Sequence, residues 1–331
     1  MIALSSILLI LLSVLESTNC ENNDSNNDYQ IPSISLSNLK TKEDKETLGK
    51  ALSSTGIIAI TDIDEETQDF SKTRNNALEG LCECSNNKDI LDIDNSESFT
   101  LSDGITTRTS IATLTSINGI PLSLNNNQID SVCSSSSVSS TNNNLLSQSM
   151  EKLRDYVHLV SKEFILALDD IITGAKDGDG DDNDDVLLET SHGKRYNNVN
   201  DIIQDATHLE HFHVYSKKSK QHQNSMRNKG EMDNNVLDTH IDAGLFLSFV
   251  PSMSCNSDDV SSSFMVHVDG KLQTVKFPSN SIIIMLGIGA EHWLQNIRIG
   301  SASTNLVATK HAVQMNYDSM RSWYGTSKFY L

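Results

Sequence analysis

The stretch Thr239-His240-Ile241-Asp242-Ala243-Gly244-Leu245 opens a predicted strand that runs from Thr239 to Val250. Successive side chains of a strand point to opposite faces of the sheet, so residues two positions apart share a face. His240 and Asp242 are therefore expected to lie side by side, where one imidazole and one carboxylate can bind the same metal ion. The sequence thus predicts a metal site on this strand.

A third ligand is expected from another predicted strand, Leu306 to Tyr317, which carries His311. Two histidines and one carboxylate form the facial triad that holds Fe(II) in non-haem oxygenases, and this triad leaves coordination positions open. Arg321 follows later in the chain, and its planar guanidinium can pair bidentately with a carboxylate. Such a pair suits the distal carboxylate of 2-oxoglutarate.

The C-terminal part of the chain around these residues is rich in predicted strands. From Ala206 onward, short β-rich runs alternate with turns, and Asp269-Gly270 is a strong hairpin signal. Many short strands joined by tight turns are typical of a sandwich or barrel. The predicted strands are His208 to Tyr215, Thr239 to Val250, Phe264 to Val268, Leu272 to Phe277, Ser281 to Leu286, and Leu306 to Tyr317.

The part of the chain before this, residues 30–205, mixes strands and helices with polar insertions. It opens with a predicted strand at Ile31 to Leu36, a helix at Thr41 to Leu52 and a buried strand at Ile57 to Ile60. Met150 to Ile172 carries an apolar stripe at helical spacing and is predicted to be a core helix. A polar helix is expected over residues 64–82, a strand over Thr106 to Thr115, and a surface insertion over residues 121–148.

Several segments together resemble the isopenicillin N synthase-like group of Fe(II)/2-oxoglutarate oxygenases. Thr239 to Leu245 is similar to the HTDAGLL segment of that group, and Lys310 to Val313 stands where the group has its HRV histidine. The similarity extends to Phe264 to Pro278, with its Asp-Gly turn, and to the apolar strand that ends at Gly287. At the front, Ile31-Pro32 and Gly56-Ile57-Ile58 also match the group.

The resemblance implies a fold and a set of roles. The fold is mainly β with flanking helices, a distorted double-stranded β-helix (jelly roll), with its core in residues 206–331. His240, Asp242 and His311 are implied to bind Fe(II), and Arg321 to bind the co-substrate 2-oxoglutarate. Tyr215 lies near the place of a co-substrate tyrosine. The implied reaction uses molecular oxygen to oxidise, by default to hydroxylate, a small organic substrate, and it releases succinate and CO2.

Three positions depart from the pattern of that group. The group has Arg-x-Ser, whereas Trp323 stands at the serine position here, and the serine is at Ser322. Ala312 replaces the arginine of HRV, and polar residues 252–263 lengthen the gap between Asp242 and His311. Two alternatives therefore stay open: an iron oxidase that does not use 2-oxoglutarate, and a catalytically inactive secreted jelly roll that acts as a binding module.

Other histidines compete for the metal role. His267 and Asp269 form a second His-x-Asp, but Asp269 belongs to the turn itself. His292 is the competing third ligand, and its neighbours favour a loop after a strand. His208, His211 and His213 are expected on one face of one strand, where surface or substrate-pocket roles are favoured over metal binding.

The N-terminus indicates entry into the secretory pathway. Ile2 to Leu15 is nearly all apolar and is followed by small residues, which predicts a cleaved signal peptide over residues 1–20 and no stable membrane span afterwards. Residues 21–29 are polar and expected to be disordered. Cys82, Cys84, Cys133 and Cys255 would remain, an even number that permits disulfides in an oxidising compartment without fixing their pairing.

The charge of the chain excludes some function classes. The net charge is −19 with a pI of about 4.8, and the Lys and Arg residues are scattered. Nucleic-acid binders present a basic face, so a nucleic-acid partner is not expected. The chain is also predicted to be a monomer. The acidic run Asp177 to Asp185 has the wrong residues at the Gly and Glu positions of a calcium loop and is interpreted as a solvated loop.

Overall fold

A computed structural model describes residues 28–64, 69–86, 89–94, 96–114, 124–133, 146–173, 186–218, 235–256, 263–294, 297–299 and 302–328. The predicted signal peptide, residues 21–27 and the acidic run Asp177 to Asp185 lie outside these residues. Tyr29 pairs in a strand, so the expectation of disorder through residue 29 is wrong at its end. No helix among the described segments has the length and apolar character needed to cross a membrane.

The described chain contains eighteen strands and six α-helices. The strands are β1 (Tyr29–Gln30), β2 (Ser33–Ser35), β3 (Ile57–Thr61), β4 (Ser96–Thr100), β5 (Thr106–Leu114), β6 (Leu188–Glu189), β7 (Arg195–Tyr196), β8 (His208–Lys217), β9 (Asn235–His240), β10 (Phe246–Phe249), β11 (Met253–Ser254), β12 (Ser263–Val268), β13 (Lys271–Lys276), β14 (Ile282–Leu286), β15 (Ile297–Ile299), β16 (Ala302–Thr304), β17 (His311–Gln314) and β18 (Ser319–Lys328). The helices are α1 (Lys42–Ser54), α2 (Asp69–Asn86), α3 (Asn126–Cys133), α4 (Leu146–Thr173), α5 (Val199–Asp205) and α6 (Ile288–Trp293), with short 3-10 turns at Leu36–Asn38 and Asp89–Asp92.

Two facing sheets form the body of the molecule. The larger sheet has the strand order β2-β3-β14-β10-β18-β8-β5-β4, with β11 paired to β18. The smaller sheet has the order β1-β13-β12-β17-β9. Strands from the beginning of the chain thus extend both sheets, and the prediction of a mainly β fold with flanking helices is confirmed.

Strands β3, β10 and β14 of the larger sheet are buried on both faces, which explains their continuous apolar sequences. In β3, Ile57 and Ala59 pack between the two sheets, whereas Ile58 and Ile60 pack under the helices. β14 divides in the same way, with Ile283 and Met285 toward the smaller sheet and its other isoleucines toward the helices. Two cores result, one inside the sandwich and one outside it.

The outer core is covered by helices, of which α4 is the longest. It contains the predicted helix Met150 to Ile172 and extends it at both ends. Arg154 of α4 forms an ion pair of 2.6 Å with Glu210 of β8, and both side chains are only 3% exposed. Ser161 of α4 donates a 2.8 Å hydrogen bond to Ser248 of β10. These contacts fix α4 against the outer face of the strands that carry the site.

Several boundaries differ from the prediction. The helix expected over residues 64–82 begins at Asp69, and α3 lies within the stretch 121–148 that was expected to be only a surface insertion. The predicted strand Thr239 to Val250 is two strands in two different sheets, because β9 ends at His240 and β10 begins at Phe246. Asp242 therefore lies in the turn between them, and the expectation of a shared strand face is wrong in this detail.

Two disulfides join elements that are far apart in sequence. Cys82 pairs with Cys255, and Cys84 pairs with Cys133. The two neighbouring cysteines of α2 thus hold different parts of the fold, namely the loop after β11 and the end of α3. The sequence permitted these pairs and did not specify them.

Candidate metal centre

Three side chains converge where the smaller sheet ends. His240 and His311 are directly paired residues of β9 and β17. The His240 Nε2 lies 3.5 Å from one carboxylate oxygen of Asp242, and the His311 Nε2 lies 3.8 Å from the other. One ligand atom from each residue lies within 4.8 Å of the other two. The sequence-predicted triad is therefore brought together by the fold.

Backbone carbonyls orient both imidazoles. The Nδ1 of His240 lies 2.7 Å from the carbonyl oxygen of Asp238, and the Nδ1 of His311 lies 3.1 Å from that of Thr309. A carbonyl only accepts hydrogen bonds, so each Nδ1 donates, and Nε2 is the atom that each imidazole offers to a metal once it is neutral. This arrangement is the one that metal-binding histidines commonly adopt.

The turn that carries Asp242 is held by the start of α6. The amides of Ile288 and Gly289 donate to the carbonyls of Asp242 and Gly244 at 2.9 and 2.7 Å. A Cβ added at Gly287 would lie 2.6 Å from the Gly244 carbonyl, so the backbones approach too closely for a side chain there. The glycines after β14 therefore allow the turn that carries Asp242 to pack closely against the start of α6.

The electrostatic interactions within the triad keep Asp242 ionised. Burial raises the pKa of Asp242, but the hydrogen bond from His240 and the charges of His311 and His240 outweigh burial and hold this pKa below its ordinary value. The hydrogen bond to Asp242 raises the pKa of His240, whereas burial lowers the pKa of His311. Asp242 is thus an ionised carboxylate near neutral pH, which is the form that binds a cation.

The competing histidines do not join this group. Among the described residues, His240, Asp242 and His311 form the group of three whose donor atoms converge, without His267 or His292. His211 and His213 line the neighbouring cavity as expected. The expectation that His208 shares their face is wrong, because it stands an odd number of positions from them on β8 and points to the opposite face.

A cavity of about 360 Å³ opens beside the triad between the two sheets. Arg321 of β18 and Tyr215 of β8 are directly paired residues, and both side chains line it. The sheet register thus brings together the two residues that the resemblance assigned to 2-oxoglutarate. Each reaches the cavity that the three metal-ligand candidates also line.

Ser252 is a site residue that the sequence did not reveal. The Nε of Arg321 donates a 3.1 Å hydrogen bond to the Ser252 hydroxyl, and Ser252 lines the cavity. Trp323, at the place of the expected serine, stacks instead on His213 with ring centroids 5.1 Å apart. The hydroxyl of Ser322 is buried on the other face of β18. A serine hydroxyl therefore does lie beside Arg321, but it comes from Ser252, between β10 and β11, and not from β18 itself.

The two histidines of β8 in the cavity are neutral. Burial lowers the pKa of His211 to about 4, with a contribution from the charge of Arg108. Burial also lowers the pKa of His213 well below its ordinary value, and its Nδ1 lies 2.7 Å from the Ser110 hydroxyl. Uncharged imidazoles add polar contacts to this wall without repelling a cation at the triad.

Comparisons with solved structures give similar folds at low sequence identity. The dioxygenase for auxin oxidation 1 from Arabidopsis thaliana, in complex with 2-oxoglutarate, matches with a TM-score of 0.55 and 12% identity, over 90% of this chain and 92% of that chain. A 2OG-Fe(II) oxygenase family protein from Caulobacter crescentus matches with a TM-score of 0.51 and 10% identity, over 90% and 86%. JOX2, in complex with 2OG, Fe and JA, matches with a TM-score of 0.50 and 13% identity, over 90% and 74%.

Sequence comparisons add no closer relative. No protein-family model matches the chain, and no curated protein matches it significantly. The similarity therefore rests on the arrangement of the strands over nearly the whole chain. The distorted double-stranded β-helix expected from the resemblance is confirmed, and the chain has the fold of the 2-oxoglutarate- and Fe(II)-dependent oxygenases.

Proposed function

We propose that this protein is an Fe(II)- and 2-oxoglutarate-dependent dioxygenase that oxidises, most simply by hydroxylation, a small organic substrate. The observation that carries the proposal is the convergence of His240, Asp242 and His311 at one end of a cavity that Arg321 also lines. The donor set fits ferrous iron, because two neutral imidazoles and one carboxylate are the ligands of the facial triad.

Each residue has a task in this proposal. His240, Asp242 and His311 would hold the iron, with the Asp238 and Thr309 carbonyls keeping their imidazoles in register. Arg321 would bind the distal carboxylate of 2-oxoglutarate, with the Ser252 hydroxyl beside it and Tyr215, its paired neighbour on β8, in the same cavity. When bound, Fe(II) supplies the activation of molecular oxygen that converts 2-oxoglutarate to succinate and CO2 and oxidises the substrate.

The apolar wall of the cavity would keep bulk water from the reacting groups. Phe264 stacks on the His311 ring, with centroids 5.2 Å apart, and Phe249 and Trp323 lie next to it in the sandwich core. Exclusion of water strengthens the charge interactions inside a site and suppresses side reactions. The enclosure by two sheets therefore suits oxidative chemistry.

Succinate formation tests the proposal. The purified protein would be incubated with Fe(II), 2-oxoglutarate and oxygen, and succinate would be compared with Arg321→Met, which we expect to lose most turnover. Succinate from the wild type at the level of the buffer would contradict the use of 2-oxoglutarate. Oxygen consumption without 2-oxoglutarate would instead favour the iron oxidase.

We also propose that the protein folds in the secretory pathway. Two disulfides among the described residues support this, because such bonds persist in oxidising compartments. Microscopy of the full chain carrying a C-terminal fluorescent tag tests the localisation. A uniform cytosolic signal would contradict it.

A further inference from the structure

Arg108 is a second cationic side chain in the cavity. It lies on β5, directly paired with Tyr215 of β8, and Arg321 is paired with Tyr215 from the other side. The two arginines therefore flank Tyr215 in one row across the larger sheet. Both line the cavity that reaches the triad.

The Arg108 side chain is packed but retains hydrogen-bonding capacity. Its guanidinium carbon lies 4.1 Å above the ring centre of Phe99 on β4. Its Nε is buried and has no hydrogen-bond partner in the described part of the chain. A buried donor without a partner is unfavourable, so this position is suited to a ligand that accepts a hydrogen bond.

The charge of Arg108 is felt within the cavity. After burial, it is the next cause that lowers the pKa of His211, and it also lowers that of His213. Asp242 is the one acid among the described residues that line the cavity, and the triad uses it. No carboxylate of this wall is therefore left to neutralise Arg108.

When Fe(II) and 2-oxoglutarate are bound, the positive charge of Arg108 is not needed to balance the other charges of the site. If the proposed function holds, the charges of Fe(II) and Arg321 balance those of Asp242 and the two carboxylates of 2-oxoglutarate. The partly buried Arg108 guanidinium, which also hydrogen-bonds the Tyr215 side chain, then has no carboxylate partner among the described residues of the cavity. A monoanionic substrate completes the balance.

The remaining wall favours an apolar body on that substrate. Leu209, Leu237, Val313 and Met315 line the cavity together with aromatic rings. Its volume of about 360 Å³ lies at the small end of the roughly 300–1,000 Å³ typical of ligand sites. The space suits a small organic acid better than a peptide or polymer.

We propose that Arg108 binds the carboxylate of the substrate, and that the substrates are small organic acids with an apolar body. The oxidation of such an acid and the charge balance with Fe(II) and 2-oxoglutarate rest on the proposed function, whereas the pairing of the acid with Arg108 does not. The guanidinium fork pairs with a carboxylate through parallel hydrogen bonds, and the uncharged amide of the same acid offers no ion pair.

The test compares acids with their own amides. Benzoate, phenylacetate, 3-phenylpropionate and octanoate, each beside its primary amide, would be titrated calorimetrically into the anaerobic protein with Fe(II) and excess 2-oxoglutarate. We expect at least one acid to bind about tenfold or more tightly than its amide. Arg108→Met should remove that preference, and Arg195→Met, which changes the same charge at an exposed site, should keep it.

Two results would overturn the proposal. One is a wild type in which no acid of the four binds better than its amide, or an Arg108→Met variant that keeps the preference. The other is loss of 2-oxoglutarate binding in Arg108→Met with retention in Arg321→Met, which would make Arg108 the co-substrate anchor.

A second arm separates this proposal from the proposed function. In the same titrations without iron and 2-oxoglutarate, Arg321 can also pair with an acid, so Arg321→Met is titrated beside Arg108→Met and only the preference that Arg108→Met removes is assigned to Arg108. An acid preference that depends on Arg108 in that arm, in a protein that makes no succinate, would leave the anion site standing and refute the dioxygenase.

Discussion

At the scale of single residues, the site depends on groups that hold the functional side chains in place. The carbonyls of Asp238 and Thr309 accept hydrogen bonds from the two histidine Nδ1 atoms, and the Ser252 hydroxyl accepts one from the Arg321 Nε. Hydrogen-bond partners of this kind hold each functional side chain in the one orientation that suits the site. Their removal should therefore affect binding more than folding.

Ser252→Ala should weaken 2-oxoglutarate binding without unfolding the protein. Loss of one hydrogen bond beside a charged group costs about 1–3 kcal/mol, so the KM for 2-oxoglutarate should rise about tenfold while kcat changes less. Steady-state kinetics of succinate formation measures this. Ser322→Ala is the matched control and should leave KM unchanged, because this hydroxyl is buried on the other face with no hydrogen-bond partner among the described residues.

The same residues show what the sequence reveals at this scale. His240, Asp242, His311 and Arg321 could be named because each residue type carries its own chemistry. Ser252 could not, since it precedes Arg321 by 69 positions in a polar stretch. Ser252 directly precedes β11, and the pairing of β11 with β18 places it beside the arginine.

At the scale of elements, β8 connects the helical layer with the cavity. Glu210 faces α4, whereas His211, His213 and Tyr215 face the opposite way into the cavity. The buried pair with Arg154 thus fixes the strand whose other face forms the cavity wall. Loss of the Arg154–Glu210 ion pair should therefore loosen both the packing of α4 and the cavity wall that β8 forms.

Glu210→Ala should destabilise the protein by about 3–5 kcal/mol, because it leaves Arg154 buried without its principal partner. Chemical denaturation followed by circular dichroism measures the free energy of unfolding. The double variant Arg154→Met/Glu210→Leu should recover much of that loss, since it removes both charges. A single variant as stable as the wild type would show that the pair does not anchor α4.

The two disulfides should have separable effects. Removal of either one, as Cys82→Ser/Cys255→Ser or as Cys84→Ser/Cys133→Ser, should cost about 2–5 kcal/mol in unfolding free energy. Only the first pair lies next to β11 and Ser252, so only its removal should also raise the KM for 2-oxoglutarate. Equal KM effects from both variants would contradict this assignment.

Element boundaries were predictable where the periodicity is strong. The apolar stripe of α4 and the Asp269-Gly270 hairpin between β12 and β13 are confirmed. The division between β9 and β10 was missed, because the turn at Asp242 is stabilised by contacts with Gly287 and Gly289 that lie far along the chain. Local patterns do not encode such contacts.

At the scale of the whole molecule, the fold could be predicted in class but not in sheet order. Many short strands joined by tight turns indicated a sandwich or barrel, and the segments similar to known oxygenases implied a jelly roll. The insertion of β3 beside β14, and of β5 beside β8, joins strands that are more than 90 positions apart. Strand pairing over such separations depends on tertiary packing, which a single sequence does not display.

We propose that His240, Asp242 and His311 hold Fe(II) together with 2-oxoglutarate. The most direct measurement is the visible absorption spectrum of the anaerobic protein with Fe(II), before and after addition of 2-oxoglutarate, beside His240→Ala. We expect a weak charge-transfer band on addition to the wild type and none in the variant. Bound iron without a band would contradict the co-substrate, and absence of bound iron in the wild type would contradict the metal centre itself.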